Sequence, residues 1–218
     1  MSSIKLTADS GGGTFELKAP ASSANTRVLT LPDATNGTVA RTDDLDVVKL
    51  QSVESGSPVA NITFDSLDTT TYKYFRLIIN TLPATDNAYM NFYFRVGGSD
   101  QSGSSTYHWG NMGITTNTAS LYDEANISNY GNVVNNAGNA TGEGHRVVMD
   151  IVMKKSGEDT SLSNYVAIQA FRRDSSGNGR FETSGIHHTA DVNPDGFKLV
   201  PNSGNWEDYN YTLYGVKR

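Results

Sequence analysis

Four histidines are the residues best suited to acid–base or metal chemistry in this sequence: His108, His145, His187 and His188. A catalytic or metal site needs several such side chains converging with carboxylates. His187 and His188 are adjacent, so on a strand they point to opposite faces of a sheet and do not easily ligate one metal ion. We therefore expect structural or surface roles for the histidines, and we predict no metal site and no catalytic residues.

One acidic segment resembles the start of a calcium-binding loop. Residues 174–179 read DSSGNG, with oxygen-bearing side chains at alternate positions and a glycine at the sixth. The twelfth position of such a loop should be a bidentate glutamate, but here it is Gly185. The mismatch favours a hairpin loop. With no Gly-x-Ser-x-Gly motif and no cysteine either, the sequence predicts a protein that is not an enzyme and holds no cofactor.

Aromatic and amide side chains form the one candidate ligand surface: Tyr107, His108, Trp109, Asn111 and Trp206. Aromatic rings stack on apolar ligand faces while amides bind hydroxyl groups, which suits a sugar or a protein partner. The alternative interpretation places Trp109 and Trp206 in the two ends of a hydrophobic core, and we favour it because large aromatic side chains usually dominate cores.

Charge and hydropathy narrow the classes of partner. The net charge of −6 and the absence of a Lys/Arg cluster argue against nucleic-acid binding through phosphates. No apolar run is long enough to span a bilayer, so we expect no membrane insertion. The first residues contain no apolar signal core, so we expect synthesis in the cytoplasm.

The elements that must position these side chains are β-strands. Tyr72–Leu82 and Ala88–Val96 alternate apolar and polar residues with a period of two, which is typical of half-buried strands. The intervening residues 83–87, PATDN, have the composition of a turn. We predict that the two strands pair as an antiparallel hairpin at the centre of a β-sandwich.

Elsewhere in residues 47–218 the sequence also alternates apolar and polar residues, except in the middle of the chain. Residues 99–144 are rich in Gly, Ser, Thr and Asn, and we expect loops there with some strand, for example Tyr107–Met112. We count about eight strands within residues 47–218 and no amphipathic helix. The sequence therefore predicts an all-β protein, with residues 47–218 forming an antiparallel, jelly-roll-like β-sandwich.

Residues 1–46 form a separate arm of very short predicted strands between turn signals, including Ile4–Thr7 and Thr14–Lys18. Ordering this backbone costs about 1–2 kcal/mol per residue, which so few apolar side chains cannot offset alone. The arm must therefore pack on the main domain, on a partner or on copies of itself, and the alternative is a disordered arm. We expect it to be stabilised by oligomer or attachment contacts. The apolar residues available for them are Ile4, Leu6, Phe15, Leu17, Val28, Leu29 and Leu31.

Short phrases at both ends and in the centre of the chain have a distinctive composition. The N-terminal phrases are SIKLTADSGGGT at 3–14, LKAPA at 17–21, LTLPD at 29–33 and GTVARTDDL at 37–45. The later phrases are YFRL at 74–77, PATDNA at 83–88, FRVGGS at 94–99 and YTLYGVKR at 211–218. Together these phrases resemble virion structural proteins of tailed bacteriophages, and the resemblance covers little of residues 99–144.

This resemblance implies a homotrimeric protein on the virion surface, made in the bacterial cytoplasm. Residues 1–46 would be the attachment and oligomerisation arm, and residues 47–218 the outward-facing domain. The favoured function is a capsid decoration or cement protein that contacts other virion proteins, major capsid or tail proteins. The alternative is a short tail or head fibre that recognises a host cell-surface glycan.

Overall fold

The computed structural model describes the strand residues 3–7 and 14–18, and then residues 46–116, 119, 121–155 and 163–217. The chain divides into two compact units, Met1–Arg41 and Thr42–Arg218. The boundary predicted after residue 46 falls a few residues beyond this division. Within the described residues, no helix is long and apolar enough to cross a membrane.

The N-terminal unit contains an antiparallel strand pair. Strand β1 is Ser3–Thr7 and strand β2 is Thr14–Lys18, with Ile4 opposite Leu17 and Leu6 opposite Phe15 along the backbone. The two short strands predicted here are confirmed. The other predicted contact residues, Val28, Leu29 and Leu31, lie outside the described residues.

The second unit is built from thirteen strands within the described residues, more than the eight expected. They are β3 (Val47–Val53), β4 (Ile62–Phe64), β5 (Tyr72–Pro83), β6 (Ala88–Val96), β7 (Ser99–Asp100), β8 (Tyr107–Thr115), β9 (Leu121–Ser128), β10 (Gly131–Ala137), β11 (Gly144–Val152), β12 (Asn164–Arg173), β13 (Gly179–His188), β14 (Gly196–Pro201) and β15 (Trp206–Lys217). The predicted all-β class is confirmed.

Two antiparallel sheets pack as a sandwich around one hydrophobic core. The larger sheet has eight strands in the order β3-β15-β5-β11-β12-β13-β8-β9. The smaller sheet has the order β10-β6-β14-β4, with β7 paired to β6. Buried side chains from both sheets form a single cluster, so each sheet has one inward face and one face opposite the core. We call that face of the eight-stranded sheet the outer face.

The predicted pairing of β5 with β6 is wrong, although the bounds of both strands agree with the prediction to within one residue. β5 pairs with β11 and β15, whereas β6 pairs with β7, β10 and β14 in the other sheet. Each strand carries a strong apolar face, exemplified by Leu77 and Phe92, and both faces enter the same core. Residues 84–87 therefore cross between the sheets. Alternation specifies the buried face of a strand but not its neighbour.

The expectation of a loop-rich middle is also wrong, because residues 99–144 contain three strands of substantial length, β8, β9 and β10. Their hydrophobic periodicity is diluted because buried positions carry asparagine, as at Asn111, Asn132 and Asn135. Exposed positions of the same strands carry apolar residues such as Met112 and Ile114. The usual contrast of apolar inside and polar outside is thereby lost from the sequence pattern.

A buried histidine couples stability to pH. His145 is enclosed in the core, where its Nδ1 lies 3.1 Å from the Thr81 hydroxyl and its ring meets the edge of Trp206. Burial, with a smaller contribution from the charge of Arg172, lowers the pKa of His145 to about 3 from its ordinary 6.5. The unfolded chain therefore binds a proton at a pH where the folded chain does not, and stability falls as pH drops below 6.5.

We predict that His145 alone lowers the free energy of unfolding by about 2 kcal/mol between pH 7 and pH 5. Urea titrations of the native chain and of His145→Asn at both pH values measure this contribution of His145 to the free energy of unfolding, because the asparagine cannot titrate. The variant should lose correspondingly less stability on acidification. An equal loss in both proteins would contradict this account of His145.

Candidate functional site

The structure places four of the five predicted ligand-binding side chains in the core. Tyr107, Trp109, Asn111 and Trp206 are each no more than 6% exposed, and only His108 is exposed. The Trp109 ring N–H donates to the Ser128 hydroxyl at 3.2 Å. The placement of both tryptophans agrees with the core interpretation.

These five residues are not brought together in one site. Four of them lie on β8, whereas Trp206 begins β15, and four other strands separate β8 from β15 in the sheet. Five spacings between strands correspond to about 24 Å. The residues therefore do not form the single aromatic and amide surface that the sequence suggested.

Histidine geometry follows the strand alternation. On β13, His187 is exposed and His188 is buried, so the two side chains point to opposite faces as predicted. His187 lies directly opposite His108 on β8, with their ring centroids 6.1 Å apart. Within the described ranges there is no cluster of three or more His, Cys, Asp or Glu residues that could hold a metal ion.

The calcium-like segment is a hairpin loop, as the sequence predicted. It joins β12 to β13, which are paired along their whole length. The Asp174 carboxylate accepts hydrogen bonds from the backbone N–H groups of Ser176 at 3.0 Å and Asn178 at 2.9 Å. The Asp174 carboxylate therefore stabilises the turn by accepting hydrogen bonds from the backbone of the turn itself.

The outer face of β8, β9, β12 and β13 carries four transverse rows of side chains that cross the strands. Strand registers define each row. The ring row is Ile127, His108, His187 and Tyr165. The small row is Ala125, Gly110, Gly185 and Ala167. The mixed row is Asp123, Met112, Thr183 and Gln169. The apolar row is Leu121, Ile114, Phe181 and Phe171.

A groove follows the small row, because the rows on both sides of it bear larger side chains. The part of this depression bordered by the ring row has a volume of about 660 Å³. The groove crosses four strands, and the three spacings between them give it a length of about 14 Å. We call this depression the transverse groove; its floor is the small row and its walls are the ring row and the mixed row.

An ion pair lies at one end of the transverse groove. Asp150 on β11 is opposite Ala167, the last residue of the floor, and Arg76 on β5 is opposite Asp150. The Arg76 guanidinium donates two hydrogen bonds to the Asp150 carboxylate, both 2.7 Å long. These hydrogen bonds raise the pKa of Arg76 above its ordinary value. The groove therefore leads to a fixed, half-exposed carboxylate.

The apolar row presents hydrophobic side chains to solvent. Leu121 is 80% exposed and Phe181 is 57% exposed, and Ile114 lies between them on β8. Phe171 and Phe181 pack against each other with ring centroids 4.9 Å apart. Single exposed apolar residues are ordinary, but a contiguous row is typical of an interaction surface.

None of these four rows was proposed from the sequence. Their members are spaced evenly along four separate strands, and they become neighbours only through the registers of three ladders. The available signal was the presence of glycine at outward positions of β8 and β13, but the face of each strand had to be known first. The charged end of the groove, Asp150 with Arg76, depended on the pairing of β11 with β5.

Comparison with protein-family models gives no match, and comparisons with curated proteins and with solved structures give no significant match.

Replacing Trp109 by alanine should lower the free energy of unfolding by about 3–5 kcal/mol, because a buried ring is removed from the core. Met112→Ala on the same strand is the matched control. The Met112 side chain is 59% exposed, so we expect that control to change stability by less than about 0.5 kcal/mol. Chemical denaturation measures both, and equal stability of the two variants would contradict the core position of Trp109.

Proposed function

We propose that this chain is a non-enzymatic structural protein of a tailed-bacteriophage virion that decorates the capsid surface through protein–protein contacts. The sequence phrases near both ends support the virion assignment, as does the combination of a short-stranded N-terminal unit with a β-sandwich. We further propose a homotrimer on the particle surface, with other virion proteins as partners and the N-terminal unit as the attachment segment.

The apolar row is the observation that carries the decoration function. Leu121, Ile114 and Phe181 are exposed and Phe171 is partly exposed, although these are the residue types that folding usually buries. The row therefore leaves apolar area that this fold does not use. Interface centres are enriched in aromatic side chains and depleted of charge, and the row matches this composition. Contact with a partner would remove that area from water, and each Å² buried would stabilise the complex by about 25 cal/mol.

The row also rests on a rigid base. Beneath it, Arg172 and Glu182 form a buried ion pair with Nε and Oε1 2.7 Å apart. The Arg172 guanidinium donates to the carbonyl oxygen of Asn136 on β10 in the opposite sheet, at 2.6 Å. Strands β12 and β13, which present Phe171 and Phe181, are thus fixed to the second sheet, and a rigid surface loses little conformational entropy on binding.

A short fibre that recognises a host cell-surface glycan is the second candidate function. The transverse groove is the specific observation that favours it, because a concave surface with an apolar floor, aromatic rings and a few polar groups is typical of ligand sites. The apolar row and the groove are separate surfaces on the same face, so the two candidate functions can be tested independently.

The double substitution Leu121→Ser and Phe181→Ser should weaken binding to virions depleted of this protein by at least about tenfold, since each apolar contact contributes about 1–2 kcal/mol. Co-sedimentation of the purified chain with the depleted particles measures the affinity. Both side chains are exposed, so thermal unfolding should be nearly unchanged.

Ile78→Ser is the matched control, because Ile78 is 43% exposed on the same outer face but lies on β5, outside the four rows. The control should bind particles as the native chain does. If the double variant also sediments with particles at native affinity, the apolar row is not the contact surface.

A further inference from the structure

We propose that the transverse groove is a binding site for a neutral saccharide chain. This inference rests on the second candidate function, glycan recognition, and is independent of the apolar row. Four properties of the groove lead to it: the glycines of its floor, the difference between its two walls, the hydrogen-bonding state of its backbone, and the charge of the side chains around it.

Among the described residues, no contact and no backbone conformation requires glycine at Gly185 or Gly110. A Cβ added at Gly185 would meet no atom within 4 Å, and one at Gly110 would meet only ordinary contacts at 3.6 and 3.8 Å. Neither residue has a positive φ, and the ladders through them show no bulge. By contrast, a Cβ at Gly131 would clash with Ile186 at 2.6 Å.

Glycine inside a strand weakens it and commonly marks a bulge, a bend or the close approach of another molecule. For Gly185 the bulge is excluded by the continuous register on both sides, and no atom of the described residues approaches within 4 Å of the position that a Cβ would take. Close approach by a ligand remains. The two alanines at the ends of the floor keep the same depth across four strands.

The two walls of the groove differ in chemistry. On one side, the ring row offers the flat faces and edges of Tyr165, His187 and His108, with Tyr165 47% exposed. On the other side, the mixed row offers the Asp123 carboxylate, the Thr183 hydroxyl and the Gln169 amide. A sugar ring has an apolar C–H face that stacks on aromatic rings and hydroxyl groups that pair with carboxylates, hydroxyls and amides.

The backbone of the floor disfavours an extended peptide. β8, β12 and β13 each have a neighbouring strand on both sides, so their N–H and C=O groups are committed to the ladders. A peptide laid across the strands would find no main-chain partners for its own amide groups, which peptide recognition by sheets normally requires. A saccharide needs only the apolar floor and the side chains of the walls.

Charge at the groove favours a neutral chain over an anionic one. The carboxylates that face it are Asp123 and Asp150, and the one guanidinium at its end, Arg76, is already paired with Asp150. The imidazoles of His108 and His187 and the phenol of Tyr165 are the other titratable groups on the walls. A sulfated or carboxylated glycan would meet these carboxylates without an unpaired cation among the wall and end residues, and the whole chain carries a net charge of −6.

The test is binding of the full chain to a microarray of neutral hexose and N-acetylhexosamine oligosaccharides, followed by calorimetry with the oligosaccharide that binds best. Gly185→Val should fill the groove and reduce affinity at least tenfold, without loss of stability, because the added side chain meets open space. Tyr165→Ala should reduce affinity similarly. Thr212→Val, on the outer face of β15 and outside the groove, should bind as the native chain does.

Several results would overturn the proposal: no binding to any neutral oligosaccharide, binding of charged glycans only, or native affinity in Gly185→Val. A concentration-dependent dimer that Gly185→Val abolishes would also overturn it, because the groove would then be filled by a second copy. The Leu121→Ser and Phe181→Ser double variant should keep native saccharide affinity. If Gly185→Val still binds particles while neither the native chain nor any variant binds a saccharide, the saccharide site is rejected. The capsid decoration proposal is unaffected by that result.

Discussion

Apolar contact between the inward faces of the two sheets is the constraint on which the remaining structure depends. Aromatic rings make this contact at both ends of the sandwich: Phe64 meets the edge of Tyr211, and Phe94 stacks on Tyr107. The Tyr107 hydroxyl also accepts a hydrogen bond from the backbone N–H of Phe94 at 2.8 Å. Each buried ring contributes about 1.5–3 kcal/mol. The inward faces are therefore occupied by the core, whereas the four rows on the outer face contribute no side chain to it.

The outer face carries features that folding alone does not explain. A row of exposed apolar side chains and a row of glycines and alanines both cost stability, the first by leaving apolar area in water and the second by weakening two strands. The two rows are parallel and separated by the mixed row, so one rigid sheet presents a contact surface and a groove side by side.

The sequence predicted the local structure better than the tertiary neighbours. Strand alternation correctly identified β5 as a half-buried strand, in which the structure buries Phe75, Leu77 and Ile79, and adjacency correctly put His187 and His188 on opposite faces. It assigned β5 and β6 to one hairpin because a short turn-like link between strands usually indicates pairing. The groove could not be predicted, because its members lie on four strands that are neighbours only through long-range registers.

Cryo-electron microscopy of intact virions tests the central claim most directly, namely that the chain decorates the capsid through the apolar row. The account predicts density for the sandwich on the head surface, with Leu121 and Phe181 buried against a neighbouring virion protein and the transverse groove open to solvent. A reconstruction in which the chain is absent from the particle, or in which those two side chains face solvent, would contradict the account.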